Sequence, residues 1–318
     1  MIEIFHNPNY DFIGKRKWAY IVSAIVTLIG LVSLVTQGLR YDIDFTGGTL
    51  VQVRFEKTPT VAAIRAGLNR INLGESIIQE FGDTQEFIIR LPLAAGTDSQ
   101  QMAKRIEAAL GQEPSLGKFE MRRVEFVGPQ VGKELQWQAV YAVLFGLIGI
   151  LLYIALRFDL KGGVAAVVAV FHDVLVCLGA LSLSHREFSL PVLAALLTII
   201  GFSVNDTIVA YDRLRENRGK QVPKGMTFAQ QMNVAVNQTL SRTILTSLTV
   251  FFSAAILLFF GGRVLADFAF VLFVGVITGT YSTTYIAAAL VVDWTSYVEG
   301  RLRAKKGMVK AGEARKIT

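Results

Sequence analysis

The sequence predicts an α-helical membrane bundle of six transmembrane helices carrying one α+β (βαββαβ, ferredoxin-like) extracytoplasmic domain. Hydrophobic residues fill 52% of the 318 positions and charged residues only 18%, with the apolar residues gathered into long blocks rather than spread as in a water-soluble enzyme. Six blocks approach the roughly 20 apolar residues that cross a bilayer: Trp18–Thr36, Trp137–Leu156, Gly162–Leu183, Leu190–Val209, Thr243–Phe260 and Phe268–Val292. One long polar segment separates the first two. The expected division is a cytoplasmic N-terminus (1–17), a first span (18–36), an extracytoplasmic domain (37–136), five further spans (137–292) with an amphipathic cytoplasmic loop (211–241), and a basic cytoplasmic tail (293–318).

The first block is too long for a signal peptide and has no small-residue cleavage site beside it, so it reads as an uncleaved helix. Orientation follows from Lys and Arg. A model with both termini cytoplasmic puts Lys15, Arg16 and Lys17, Arg157 and Lys161, the cluster from Arg213 to Arg242, and the tail from Arg301 to Lys316 inside. The short outer loops Ser184–Ser189 and Gly261–Asp267 hold one basic residue each, Arg186 and Arg263, as the positive-inside rule requires. The net charge of +7 resides in the cytoplasmic loops and tail, while the segment from Gly38 to Gln136 is nearly balanced. Anionic membrane lipid is therefore the expected counter-charge, and nucleic acid is not.

Within the polar segment, Thr49–Phe55 alternates, with Val51, Val53 and Phe55 on one face and Gln52 and Arg54 on the other. Thr58 and Pro59 offer an N-cap and first-turn proline to a helix striped by Val61, Ile64 and Leu68. Strand-like runs at Ser76–Gly82 and Glu86–Pro92 follow, separated by Asp83 and Thr84. Next comes a helix at Ser99–Leu110, with Met102, Ile106 and Leu110 along one side. A last strand-like run, Phe119–Val127, slips its alternation at Arg122-Arg123, as a bulge does. This is the split βαββαβ order. Asp44-Phe45-Thr46-Gly47-Gly48 enters the domain from the first span, and its paired glycines suit either a hinge or partner contact or a simple turn into the first strand.

The chemistry-bearing residues lie in the spans. Asp206, with Asn205 beside it, sits near the end of the fourth apolar block. A carboxylate there costs about 2.5–3.5 kcal/mol on insertion scales, and persists where it faces a polar cavity, a partner or an ion path. Arg242 opens the fifth span at the same side and can meet Asp206 at one depth. The alternative is an interfacial acid beside a positive-inside flank. His172-Asp173 falls about 16 Å into the third span, close to the midplane. Adjacent residues differ by about 100° around a helix, so the two cannot face one partner equally. Gly275 and Gly279 make a close-packing GxxxG in the sixth span, with Thr283 continuing that face.

The segment Tyr211–Ser241 reads as a basic loop with a turn at Pro223-Lys224-Gly225. Its second half is an amphipathic helix through Phe228, Met232, Ala235, Val236 and Leu240, lying on the inner membrane surface or packed under the bundle. The single cysteine, Cys177, allows no internal disulfide and suits packing. His6, His172 and His185 have no metal-ligand spacing, and no HExxH, CxxC, GxSxG or phosphate loop occurs. Enzyme activity, a cofactor and a metal are accordingly not expected.

Five stretches together resemble the bacterial SecF family: Tyr41–Gly48 (YDIDFTGG), Val127–Gly132 (VGPQVG), Phe171–Val174 (FHDV), Gly201–Asn217 and Gln238–Thr243. The resemblance covers nearly the whole chain in order and implies a place in the resistance-nodulation-division superfamily. It further implies a SecD partner, proton-motive-force-driven assistance to a preprotein translocating through the SecYEG channel, YajC as an additional partner, and a location in the bacterial inner membrane. By the same resemblance Asp206 and Arg242 serve proton passage; Asp173, His172 and Asn205 join them as proton-relay candidates by their position in the spans. Protons are then the coupling ion. The DFTGG stretch then borders a periplasmic domain that contacts SecD or the preprotein. A chain of six spans is half of a twelve-span unit. Two rival functions remain, a solute exporter of the same superfamily and a non-conducting assembly subunit.

Overall fold

The computed structural model describes residues 8–81, 83–91, 99–220 and 225–314. Six stretches of helix are long and apolar enough to cross a membrane. The first is α1 (Arg16–Thr36). A two-residue strand β1 (Arg40–Tyr41) and a single turn α2 (Ile43–Thr46) then lead into β2 (Gly48–Phe55), α3 (Val61–Asn69), β3 (Ile77–Phe81), β4 (Asp83–Leu91), α4 (Ser99–Gly111) and β5 (Phe119–Val127). The bundle resumes with α5 (Pro129–Arg157), α6 (Leu160–Leu183), a two-residue β6 (Glu187–Phe188), α7 (Leu190–Lys220) and α8 (Phe228–Phe260). It closes with α9 (Arg263–Ser282), a π-helical turn (Thr283–Ala287) and α10 (Ala288–Ala314).

The four longer strands form one sheet in the order β3-β4-β2-β5, every neighbouring pair antiparallel. Alternation decides its faces. Val51, Val53, Phe55, Phe87 and Ile89 pack on Ile64 and Leu68 of α3 and on Met102, Ile106 and Leu110 of α4. The slip at Arg122-Arg123 is a bulge: Gln52 faces Arg123 and Val53 faces Met121, so Arg122 has no opposite residue. Gly82 and Pro92, the expected ends of two strands, lie outside the described residues, and Asp83 and Thr84 belong to β4 rather than to a turn.

Three other expectations are corrected. Thr60, not Thr58, caps α3, its extended backbone letting the hydroxyl accept the Ala63 amide at 3.2 Å; Val61 is thereby the exposed first residue and leaves the stripe to Ile64 and Leu68. The helix that carries the second apolar run starts at Pro129, ahead of Trp137, because a proline at the first helical position costs no backbone hydrogen bond. Between the fourth and fifth spans most of the expected loop is helix: α7 and α8 run for 31 and 33 residues and continue past the bilayer-length apolar runs. The amphipathic start of α8 packs under the bundle, where Met232, Ala235 and Val236 meet Ile13, Tyr211 and Leu214 in one core. A capping box of Thr227 and Gln230 starts it. The side chains of Asn233 and Asn237 clasp the backbone of Tyr10 to Ile13 above it. Of the turn at 223–225, only Gly225 is among the described residues.

Candidate functional site

On α7, Ser203, Asp206 and Thr207 follow at i, i+3 and i+4, a spacing that puts them on one face. All three are buried, with exposures of 0%, 3% and 1%. Helix α9 approaches this face because of its glycines: a Cβ on Gly275 would stand 2.5 Å from the Ile199 side chain, closer than real atoms come. That contact brings Ser282 and Thr283 beside α7, and the helix widens into its π turn immediately afterwards. Such turns recur at functional positions because they break the regular backbone ladder.

Asp173 of α6 sits at the centre of the three helices, 1% exposed. One carboxyl oxygen accepts hydrogen bonds from the hydroxyls of Ser203 and Ser282, each at 2.7 Å. The other lies 3.1 Å from Nδ1 of His172. The two neighbours predicted to diverge do so: Asp173 points into the bundle, and the partly exposed His172 reaches it from the side, leaving its buried Nε2 without a partner. Two threonines fasten the backbone behind Ser203. Thr207 and Thr283 both donate to the Ser203 carbonyl, at 3.1 and 3.2 Å, and lie 3.3 Å from each other.

Asp206, one turn along the same face of α7 from Ser203, has one carboxyl oxygen, Oδ2, buried and unpartnered. Burying an unmet polar atom costs on the order of 1–3 kcal/mol, so the atom awaits a proton, a water or a partner. The expected meeting with Arg242 is not a contact: the guanidinium is close enough to act through its field, but no ion pair joins the two among the described residues, and Arg242 is exposed. Asn205 is also exposed and points away from that face, since one residue is a 100° step on a helix. Ser203, Thr207, Ser282 and Thr283 instead gather around Asp173 and the Ser203 carbonyl, and no hydrogen bond joins any of them to Asp206 among the described residues. Their signal in the sequence was hydroxyls at helical spacing within apolar runs, the same face on which the glycines of α9 fall.

Four hydroxyls, which can both donate and accept, thus cluster at the contact of α6, α7 and α9. Among the described residues no group of three or more His, Cys, Asp or Glu side chains converges as metal ligands would. Cys177 is buried among apolar side chains of α6, α7 and α9.

The second predicted element, Asp44 to Gly48, forms the root of the outer domain. Asp42 caps α2 by accepting the Ile43 amide at 2.7 Å, Gly47 and Gly48 take positive φ values of 71° and 145°, and Phe45 is 1% exposed against Phe188. Gln136 of α5 donates to the Phe45 carbonyl at 2.6 Å.

The SecD/SecF C-terminal model of protein-export membrane proteins matches residues 108–297, and the SecD/SecF GG motif matches residues 32–59. The chain belongs to the SecD/SecF family. Among its SecD/SecF relatives, the protein translocase subunit SecF of Calditerrivibrio nitroreducens is 44% identical over 91% of this chain and 95% of the relative. That of Pseudomonas aeruginosa is 39% identical, over 89% of this chain and 90% of the relative. A crystal structure of SecDF from Thermus thermophilus, described as a translocon-associated membrane protein, superposes with a TM-score of 0.78 at 40% identity and covers 91% of this chain. A second, of SecDF in a super-membrane-facing form, gives 0.70 at 39% identity and covers 95%. The chain spans 39% and 41% of those two SecDF chains.

Proposed function

We propose that this chain is the SecF half of a SecD–SecF pair that uses the proton-motive force to assist a preprotein through the Sec channel, with Asp206 as the group that takes up and releases the proton. The observation that carries it is the unpartnered oxygen of Asp206, buried on the same face of α7 as Ser203, whose hydroxyl holds a second buried carboxyl group, Asp173. Arg242 then adjusts the charge on Asp206 from a distance, while His172 and the two serines hold Asp173 in place.

Pairing with SecD gains support from Asn205 and Arg242. Both are exposed on the surface of the bundle, and a polar side chain left facing lipid is costly, so a neighbouring helix with hydrogen-bonding groups covers them. The chain's match to about two fifths of SecDF points the same way. SecYEG and YajC are further partners on this reading, and anionic lipid meets the basic cytoplasmic residues. The membrane is the bacterial inner membrane, with both termini cytoplasmic and the domain of β2 to β5 outside. That domain is ferredoxin-like, as the strand order β3-β4-β2-β5 around two helices supports.

Reconstituted vesicles holding the chain, its SecD partner and the Sec channel test the proposal. Asp206→Asn keeps the size of the side chain but cannot ionise, so the complex should assemble while proton-driven stimulation of export disappears. Wild-type stimulation in that variant would refute it. A solute exporter would instead show proton-linked solute movement without preprotein, and an assembly subunit no dependence on the gradient.

A further inference from the structure

The short segment between α6 and α7 bonds to three separate parts of the molecule. Its strand β6 pairs in parallel with β1, Arg40 opposite Glu187 and Tyr41 opposite Phe188, and the Asp42 amide donates to the Phe188 carbonyl at 3.0 Å. The Glu187 carboxylate pairs with the guanidinium of Arg90, which projects from β4 of the outer domain and also lies 3.5 Å from Asp42. Arg186 and the Glu187 amide both hold Asp267 near the start of α9, at 2.6 and 3.2 Å. Two residues further on, the first amide of α7 donates to Asp44 at 3.2 Å. The outer domain is thus attached, through one ion pair and one two-residue ladder, to the end of the helix that carries Asp206 about 24 Å below.

We propose that Arg90 and Glu187 are positioning residues of a joint through which movement of the outer domain reaches α7, and with it Asp206. The proposal rests on the proton-coupled reading above and adds the route by which the two ends communicate. The side chains of Arg90, Glu187 and Asp42 are only 14%, 18% and 19% exposed, so the pair is shielded and geometrically fixed, unlike a surface ion pair. Domain and bundle also meet at the GG segment, where Phe45 packs on Phe188, Gln136 donates to the Phe45 carbonyl, and Gly132 of α5 sits so close that a Cβ there would be 2.9 Å from that carbonyl. A pivot at Gly47-Gly48 with a charged latch beside it is a hinge with a fixed closed position. Rotating the domain about the glycines must either break the Arg90–Glu187 pair or pull on the residues that start α7.

The test is a charge swap in the full complex. Arg90→Glu puts a carboxylate against Asp42 and Glu187, and Glu187→Arg puts two guanidiniums together; combined, they restore one attractive pair. Spin labels at the exposed Lys57 and Ser184, with the buried Cys177 replaced by alanine, read the distance between domain and bundle. Each single variant should broaden that distribution and reduce proton-driven export about tenfold or more, the size expected when like charges meet at a shielded contact. The double variant should recover both. Unchanged distances or unchanged export in the single variants, or a double variant no better than either, would overturn the joint. Asp206→Asn in parallel separates the two claims: full export there removes the proton reading, while the distance measurement still decides whether the domain is held by this pair.

Discussion

Ser282→Ala removes one of the two hydroxyls that donate to the same oxygen of Asp173 at 2.7 Å. A hydrogen bond to a charged group contributes about 1.5–3 kcal/mol in soluble proteins. Interhelical hydrogen bonds in membranes average about 0.6 and reach about 1.7 kcal/mol, because the unfolded chain finds other partners. Asp173 is 1% exposed and its acceptor oxygen keeps only Ser203, so the upper part of the membrane range applies: about 1–2 kcal/mol. Ser203→Ala should cost a similar amount, and the double variant more than the sum, since the oxygen then loses every donor. Ser184→Ala is the control. Its exposed hydroxyl bonds only to its own helix, at 2.6 Å from the Ala180 carbonyl, and should matter by a few tenths of a kcal/mol. Unfolding of the purified chain in mixed micelles, followed across a denaturant series, measures all four. A Ser282→Ala midpoint as close to wild type as that of Ser184→Ala would refute the cluster as an energetic unit, and additive losses would refute its shared oxygen.

The remaining expectations concern the outer domain and its root. Residues 41–127, expressed alone, should be soluble and unfold in one cooperative transition by circular dichroism, and Phe87→Ala, which empties a fully buried site between β2 and α3, should cost about 3–5 kcal/mol there. At the root, Glu187→Gln should broaden the Lys57–Ser184 distance distribution, because the pair with Arg90 needs the ionised carboxylate.

Local periodicity reveals what depends on it alone. The six apolar runs, the alternation of Val51, Val53 and Phe55, and the slipped register at Arg122 are visible in sequence because each is set within one helix or strand and by the contrast between side chains that shun water and those that seek it. Asp206 and Asp173 stand out for the same reason, as carboxyl groups where the solvent is hydrocarbon. Their partners do not. Ser203 and Ser282 meet on Asp173 only because Gly275 admits α9 to α7 and so settles the rotation of both helices; by the same rotation Asn205 faces outward and Arg242 falls short of contact. The pairing of Arg90 with Glu187 joins residues 97 positions apart, through an inner strand of the sheet and a loop whose mutual placement no local pattern encodes. Tertiary structure decides these contacts because a helix's facing is fixed by how small residues let neighbours approach, a property of two surfaces together and of neither segment alone.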